Sequence, residues 1–139
     1  MPEMPETVDM AGFHHVELWV ADFSAAQTEW GWLLSELGFA RESVWTEGES
    51  WAAGGAYLTL TTSPNLSTTV HDRRAPGVNH IAFSGGSRAD VDAIIAAAPD
   101  HGWHPLYQER YPHAGGPDNY AGWLENSAGA KAEIVADAP

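Results

Sequence analysis

The sequence contains no cysteine. Disulfides, thiolate metal sites and cysteine nucleophiles are therefore excluded, and any metal must be held by His, Asp or Glu. The same absence fits a reducing compartment, so a cytoplasmic location is expected. Basic residues are scarce. Six Lys and Arg stand against 19 Asp and Glu, a formal net charge of −13. Such a surface repels phosphate backbones and anionic lipid, so neither nucleic acid nor membrane is an expected partner. A neutral or cationic ligand fits this balance more easily than a multiply charged anion. Long apolar runs are absent too, and nothing approaches the roughly 18 residues of a membrane-spanning helix. The opening stretch MPEMPETVDMAG carries Glu3, Glu6 and Asp9, without a basic start or an apolar centre. It reads as a flexible leader over residues 1–12 and not as a secretory signal.

What is present is a pattern written twice. The 139 residues suffice for one domain, and 44% hydrophobic content suffices for a core. In SAAQTEWGWLLSEL, residues 24–37, Trp30, Leu33, Leu34 and Leu37 fall on one helical face. Ser24 and Asp22 compete for the N-cap, and Gly38 stops the helix. In SRADVDAIIAAA, residues 87–98, Val91, Ile94, Ile95 and Ala98 repeat that spacing between Ser87 and Pro99. A short strand precedes each helix, HHVELWV at 14–20 and NHIAFSG at 79–85. Three strand-like runs follow each helix. They are 40–46, 50–54 and 56–62 in the first copy, and 103–110, 119–126 and 130–136 in the second. The reading is α+β, with two βαβββ modules at 13–62 and 79–136. A polar linker occupies 63–78 and a short tail 137–139. Two copies in one chain predict a pseudo-twofold pair of sheets.

Both leading strands begin with histidine, His15 and His80. On the last strand Glu133 shares a face with Lys131 and Val135. Two histidines and one carboxylate from three strands make a candidate facial triad, which suits a divalent metal with open coordination positions. Alternation from His15 places Glu17 and Trp19 on the His15 face, with Glu17 about 7 Å along the strand.

The openings HHVELWVADFSAAQTEWGWLLSELGF and VNHIAFSGGSRADVDAIIAAA, with the closing LENSAGAKAEIV, resemble the vicinal oxygen chelate superfamily. That group includes glyoxalase I, fosfomycin-resistance transferases, extradiol dioxygenases and bleomycin-resistance proteins. The likeness covers roughly residues 13–136. It implies paired modules whose curved sheets, or a barrel made of them, enclose a groove with a metal at its floor. It makes His15, His80 and Glu133 the metal ligands. Glyoxalase I has a further carboxylate where Tyr57 stands here, which counts against lactoylglutathione lyase activity. Extradiol and fosfomycin enzymes place a tyrosine ten residues before the final glutamate, where this chain has Trp123. Their acidic turn before the last strand is replaced by NSAG, residues 126–129.

The resemblance implies a divalent ion, Fe(II) or Mn(II) in preference to Zn or Ni, holding a small oxygen-chelating substrate. Glu17 is the candidate general base, because a base must reach the reacting proton directly or through one water. Candidate substrate contacts are Trp19, Tyr57, His113, Tyr120 and Trp123. The segment RYPHAGGPDNYAGW, 110–123, reads as a substrate loop, since its glycines permit turns and its aromatics offer recognition. His14 is expected to point away from His15. Isomerisation, addition and O₂-dependent ring cleavage all remain open. So do two other readings: metal-free sequestration of a cationic drug, as in bleomycin resistance, and a member without catalysis acting as a regulator. Because modules can be exchanged between chains in this superfamily, a homodimer with a shared site is expected.

Overall fold

The computed structural model describes residues 11–137. Residues 1–10 and 138–139, which hold most of the expected leader and tail, lie outside them. The element order is β1 (His15–Trp19), α1 (Phe23–Leu37), β2 (Ala40–Trp45), β3 (Gly48–Ala53) and β4 (Ala56–Thr61). It then repeats as β5 (Ile81–Ser84), α2 (Arg88–Ala97), β6 (His104–Leu106), β7 (Ala121–Glu125) and β8 (Lys131–Val135).

Local chemistry sets the helix ends. Asp22, and not Ser24, caps α1, and its carboxylate accepts the Ala25 N–H at 3.0 Å. Gly38 then adopts φ +96°, the left-handed conformation that frees a helix end to turn. Ser87 and Asp90 form a reciprocal capping box on α2. Pro99 cannot continue the α-helical ladder, and residues 98–101 tighten into a 3₁₀ turn. The sixth strand is shorter than its apolar run suggests. It ends at Leu106 because Tyr107 takes a left-handed backbone, φ +57°, and a 3₁₀ turn follows.

The strands form two four-stranded sheets of identical plan, β1-β4-β3-β2 and β5-β8-β7-β6. In each, the leading strand runs parallel to the fourth and leaves its outer edge unpaired within its sheet. Register brings His15 beside Tyr57 and Glu17 beside Thr59. In the second sheet Glu133 lies between Ala82 and Trp123.

The two sheets remain open and share one core. Trp30, Leu33 and Leu34 of α1 are buried with Leu58 and Leu60 of β4 and with Ile134 of β8. Trp30 meets Trp103 edge-on at 4.9 Å and Phe83 of β5 at 6.3 Å. The first helix therefore binds its own sheet and also the second module. Val91, Ile94 and Ile95 complete the core from α2. Glu49 is fully buried on the core side of β3. It accepts hydrogen bonds from Trp51 Nε1 at 2.8 Å and Gln27 Nε2 at 2.9 Å, with Arg41 at 3.5 Å. Both carboxylate oxygens thus have partners, which suits a structural role. The face of each sheet turned away from the core carries His15 and Glu17 on β1, and Trp123 and Glu133 on β7 and β8.

Candidate metal and substrate site

On the second sheet, two predicted ligands meet. His80 Nε2 lies 3.3 Å from Glu133 Oε1, and both side chains are largely sheltered. The other imidazole nitrogen, Nδ1, is 2.8 Å from Asn79 Oδ1. An amide oxygen there favours the tautomer with the proton on Nδ1, which leaves Nε2 as a bare acceptor facing a carboxylate. Two facing acceptors need a proton or a cation between them. Ligand bonds of about 2.0–2.2 Å to a divalent ion place neighbouring ligand atoms roughly 3.0–3.4 Å apart. The donor set fits such an ion, and the Asn79 contact is the kind that orients a metal-binding histidine. Trp123 walls the pair, with its ring 4.9 Å from that of His80.

On the first sheet, His15 stacks on Tyr57, rings 4.7 Å apart and nearly parallel. Glu17 and Trp19 share its face as alternation requires, and Trp19 Nε1 donates to Glu17 Oε2 at 2.6 Å. With Glu42, Ser43, Trp45, Ser50 and Thr59, the residues His15, Glu17 and Tyr57 line a hollow that is acidic and aromatic. His14 does not point away. It precedes β1, so strand alternation does not govern it, and its Nδ1 contacts His15 Nδ1 at 2.8 Å.

Within one chain, His15 does not join His80 and Glu133. Among the described residues no group of three or more His, Asp or Glu side chains is arranged to hold a metal. His80 instead borders a separate hollow of about 250 Å³, lined by Leu18, Trp19, Ile81 and Lys131 among others.

The sequence model of the glyoxalase/bleomycin resistance protein/dioxygenase superfamily matches residues 14–121, most of the chain. The chain belongs to this superfamily. The protein YqjT of Bacillus subtilis (strain 168) is 38% identical over 125 residues, 88% of this chain and 97% of that protein. A glyoxalase-like protein of Bacillus halodurans, solved by crystallography, is 36% identical with a TM-score of 0.86. It covers 91% of this chain and 96% of its own. The lactoylglutathione lyase of Agrobacterium tumefaciens shares the fold at a TM-score of 0.61 and 16% identity, over 93% of this chain and 96% of its own.

This superfamily member departs from the sequence expectation in its 110–123 segment. Tyr111 and Tyr120 both donate to Asp92 Oδ1 on α2, the latter at 2.7 Å. Arg88 lies over the Tyr120 ring at 5.0 Å. Tyr120 therefore sits on the helix side of the second sheet, across from Trp123. His113 Nδ1 bonds the Asn119 carbonyl at 2.7 Å and closes the loop on itself. The loop is fastened to α2 and does not join Tyr120 or His113 to His80.

The two phenols hold the Asp92 carboxyl below its usual range by hydrogen bonding. Burial, then the Asp92 hydrogen bond, raises Tyr111. The same hydrogen bond, then burial, raises Tyr120. A depressed carboxyl contributes stability above its unfolded value and loses it as pH falls through the folded value. Raised phenols contribute below pH about 10 and lose it as pH climbs through their folded values. Asp92→Ala is therefore expected to lower the denaturant midpoint at pH 7. The gap from wild type should narrow once pH drops below 3.8, the ordinary value for this carboxyl. A gap unchanged at pH 3 would show that the tie does not act through ionised Asp92.

Sequence reasoning missed Tyr107. It packs beside Trp123, ring centroids 6.0 Å apart, and accepts a hydrogen bond from Lys131 Nζ at 2.9 Å. Lys131 was legible as a neighbour of Glu133 on one strand face. No local signal marked its partner.

Proposed function

We propose that this chain is a divalent-metal-dependent enzyme acting on a small oxygen-chelating substrate, with His80 and Glu133 from one protomer and His15 from its partner as the metal ligands. The observation that carries this reading is the 3.3 Å approach of His80 Nε2 to Glu133 Oε1, with Nδ1 engaged by Asn79. Imidazole and carboxylate ligands, with coordination positions left open, suit Fe(II) or Mn(II). Such an ion, when bound, polarises a substrate oxygen and stabilises negative charge that develops there.

The chain's own residues supply the rest. His15 completes the ligand set from a sheet that carries an unpaired outer edge at β1, and β5 offers the matching edge on the second sheet. Apolar side chains are exposed just before both edges, Phe13 at 83% and Val78 at 61%. Burial of those groups against a second copy favours a homodimer. Glu17 then reaches the groove from the His15 side, held by Trp19, and acts as the proton-transfer group. Trp19, Tyr57 and Trp123 shape the walls and exclude water. Tyr120 and His113 act only by fixing the loop that follows Tyr107. Among the described residues no helix is long and apolar enough to cross a membrane. A cysteine-free sequence suits a reducing compartment, and the cytoplasm is our proposed location.

Metal analysis tests the reading. Protein loaded with Mn(II) or Fe(II) under exclusion of air is expected to retain one ion per chain after desalting. His80→Ala should lose that ion, with an affinity drop of at least about 100-fold. Retention by His80→Ala, or no ion in wild type, would refute it. The acidic and aromatic hollow of Glu17, Glu42, Trp45 and Tyr57 favours one second reading, sequestration of a cationic aromatic compound. Tight binding of such a compound that is indifferent to chelator would support it.

A further inference from the structure

The sequence holds a single lysine, Lys131, in a chain of net charge −13. It stands two residues from Glu133 on the same face of β8. Its ammonium lies 4.7 Å from the centre of the Trp123 ring and 5.0 Å from that of Tyr107. Arg41, Arg73, Arg74 and Arg110 each pair with a carboxylate, whereas Lys131 enters no ion pair among the described residues. Two further cations surround the same phenol. Arg110 lies 5.3 Å over the Tyr107 ring, and Arg73 is near enough to act on its hydroxyl electrostatically. Three of the chain's six cations thus surround Tyr107, and two of them, Arg73 and Arg110, are already paired with Glu125 and Glu109.

Several donors at that point have no acceptor among the described residues. Lys131 gives one of its three N–H groups to Tyr107, which leaves two N–H groups and the phenol proton free. The Trp123 indole N–H is buried and has no partner among the described residues. Tyr107 is also the only non-glycine residue among those described with a positive φ, a conformation retained where surroundings impose it. Aromatic stacking alone would not require a lysine. A carboxylate brings the acceptor oxygens these donors want.

We propose that Lys131 and Tyr107 form an anion-reading end of the site, so that the substrate carries a carboxylate beside its metal-chelating oxygens. The position of that end relative to the substrate rests on the metal-site reading above. The one cation there without an ion pair among the described residues, Lys131, acts at contact distance, while the acidic surface around it keeps polyanions away. The pair therefore selects a singly charged acid over a phosphorylated one.

The test uses the full-length protein freed of metal with chelator, so that no ion contributes to binding. The probes are 2-hydroxybenzoate and its neutral amide, which share ring and hydroxyl. Calorimetry is expected to show the acid binding at least about tenfold tighter than the amide. Lys131→Met should remove that preference, and Lys131→Arg should keep it. Uniform ¹³C labelling offers a readout on the unsubstituted and unmodified chain, because the single lysine gives one Cε–Hε resonance, that of Lys131. That resonance should shift with the acid and not with the amide. Equal affinities, a preference that survives Lys131→Met, or an unmoved resonance would overturn the proposal. A wild-type chain that holds no ion when offered Mn(II), yet prefers the acid, would refute the metal reading alone.

Discussion

Trp30→Ala is expected to destabilise the protein by about 3–5 kcal/mol, the range for deleting a buried large aromatic. The side chain is 1% exposed and stands on α1 where three elements converge. Its ring meets Trp103 at right angles and approaches Phe83. Trp103 itself donates its indole N–H to the Glu29 carbonyl at 2.8 Å, next to Trp30 in the chain. Deletion would open a cavity between the modules, and neither sheet can collapse into it without breaking its own ladder. Against a total of about 5–15 kcal/mol, that is a large fraction. Trp32 is the contrast on the same helix. It is half-buried and stacks on the exposed His101 at 4.5 Å. Trp32→Ala should cost on the order of 1 kcal/mol. Urea titrations of both variants at pH 7 check the pair. Equal losses would show that the module contact does not run through Trp30.

Why the sequence revealed the modules and hid their contact follows from the range of the signals. Helical periodicity around Trp30–Leu37 and Val91–Ala98 is local, so both helices were legible to within a residue or two. The doubled order of elements was legible for the same reason. The α1 cap went to Asp22 because its carboxylate reaches Ala25, a choice that two cap formers two residues apart leave open on paper. The early end of β6 was illegible. LYQER reads as a continued strand, and only the packing around Tyr107 turns its backbone left-handed.

The site divides along the same line. Alternation told which side chains share a strand face, and it placed Glu17 and Trp19 with His15 and Lys131 with Glu133. It does not tell which sheet faces which. That depends on α1 reaching across to Phe83 and Trp103, contacts more than 50 residues apart in sequence. Tyr120 and Trp123 were both candidate substrate contacts. Trp123 on β7 pairs across from Glu133, while Tyr120, just before that strand, turns to Asp92. The Lys131–Tyr107 bond spans 24 residues and left no periodic trace.

The separation of His15 from His80 and Glu133 leads to the sharpest expected result. His15→Ala alone and His80→Ala alone should each lose metal. When the two variants are mixed, unfolded together and refolded, metal binding should return. Half of the dimers formed at random are mixed. In a mixed dimer one site takes His15 from the His80→Ala chain and the His80–Glu133 pair from the His15→Ala chain, and is intact. The second site lacks both histidines. Restored binding is therefore expected at about one quarter of the wild-type level per chain, following from twofold symmetry. A site confined to one chain predicts none, because each chain lacks a ligand. Sedimentation of the refolded mixture supplies the control, since a monomer could not complement. Phe13→Ser, at an exposed apolar position just before β1, should weaken association and lower the restored fraction with it. Recovery near a quarter with dimer present would assign His15 to the partner protomer. No recovery from a confirmed dimer would place the third ligand elsewhere.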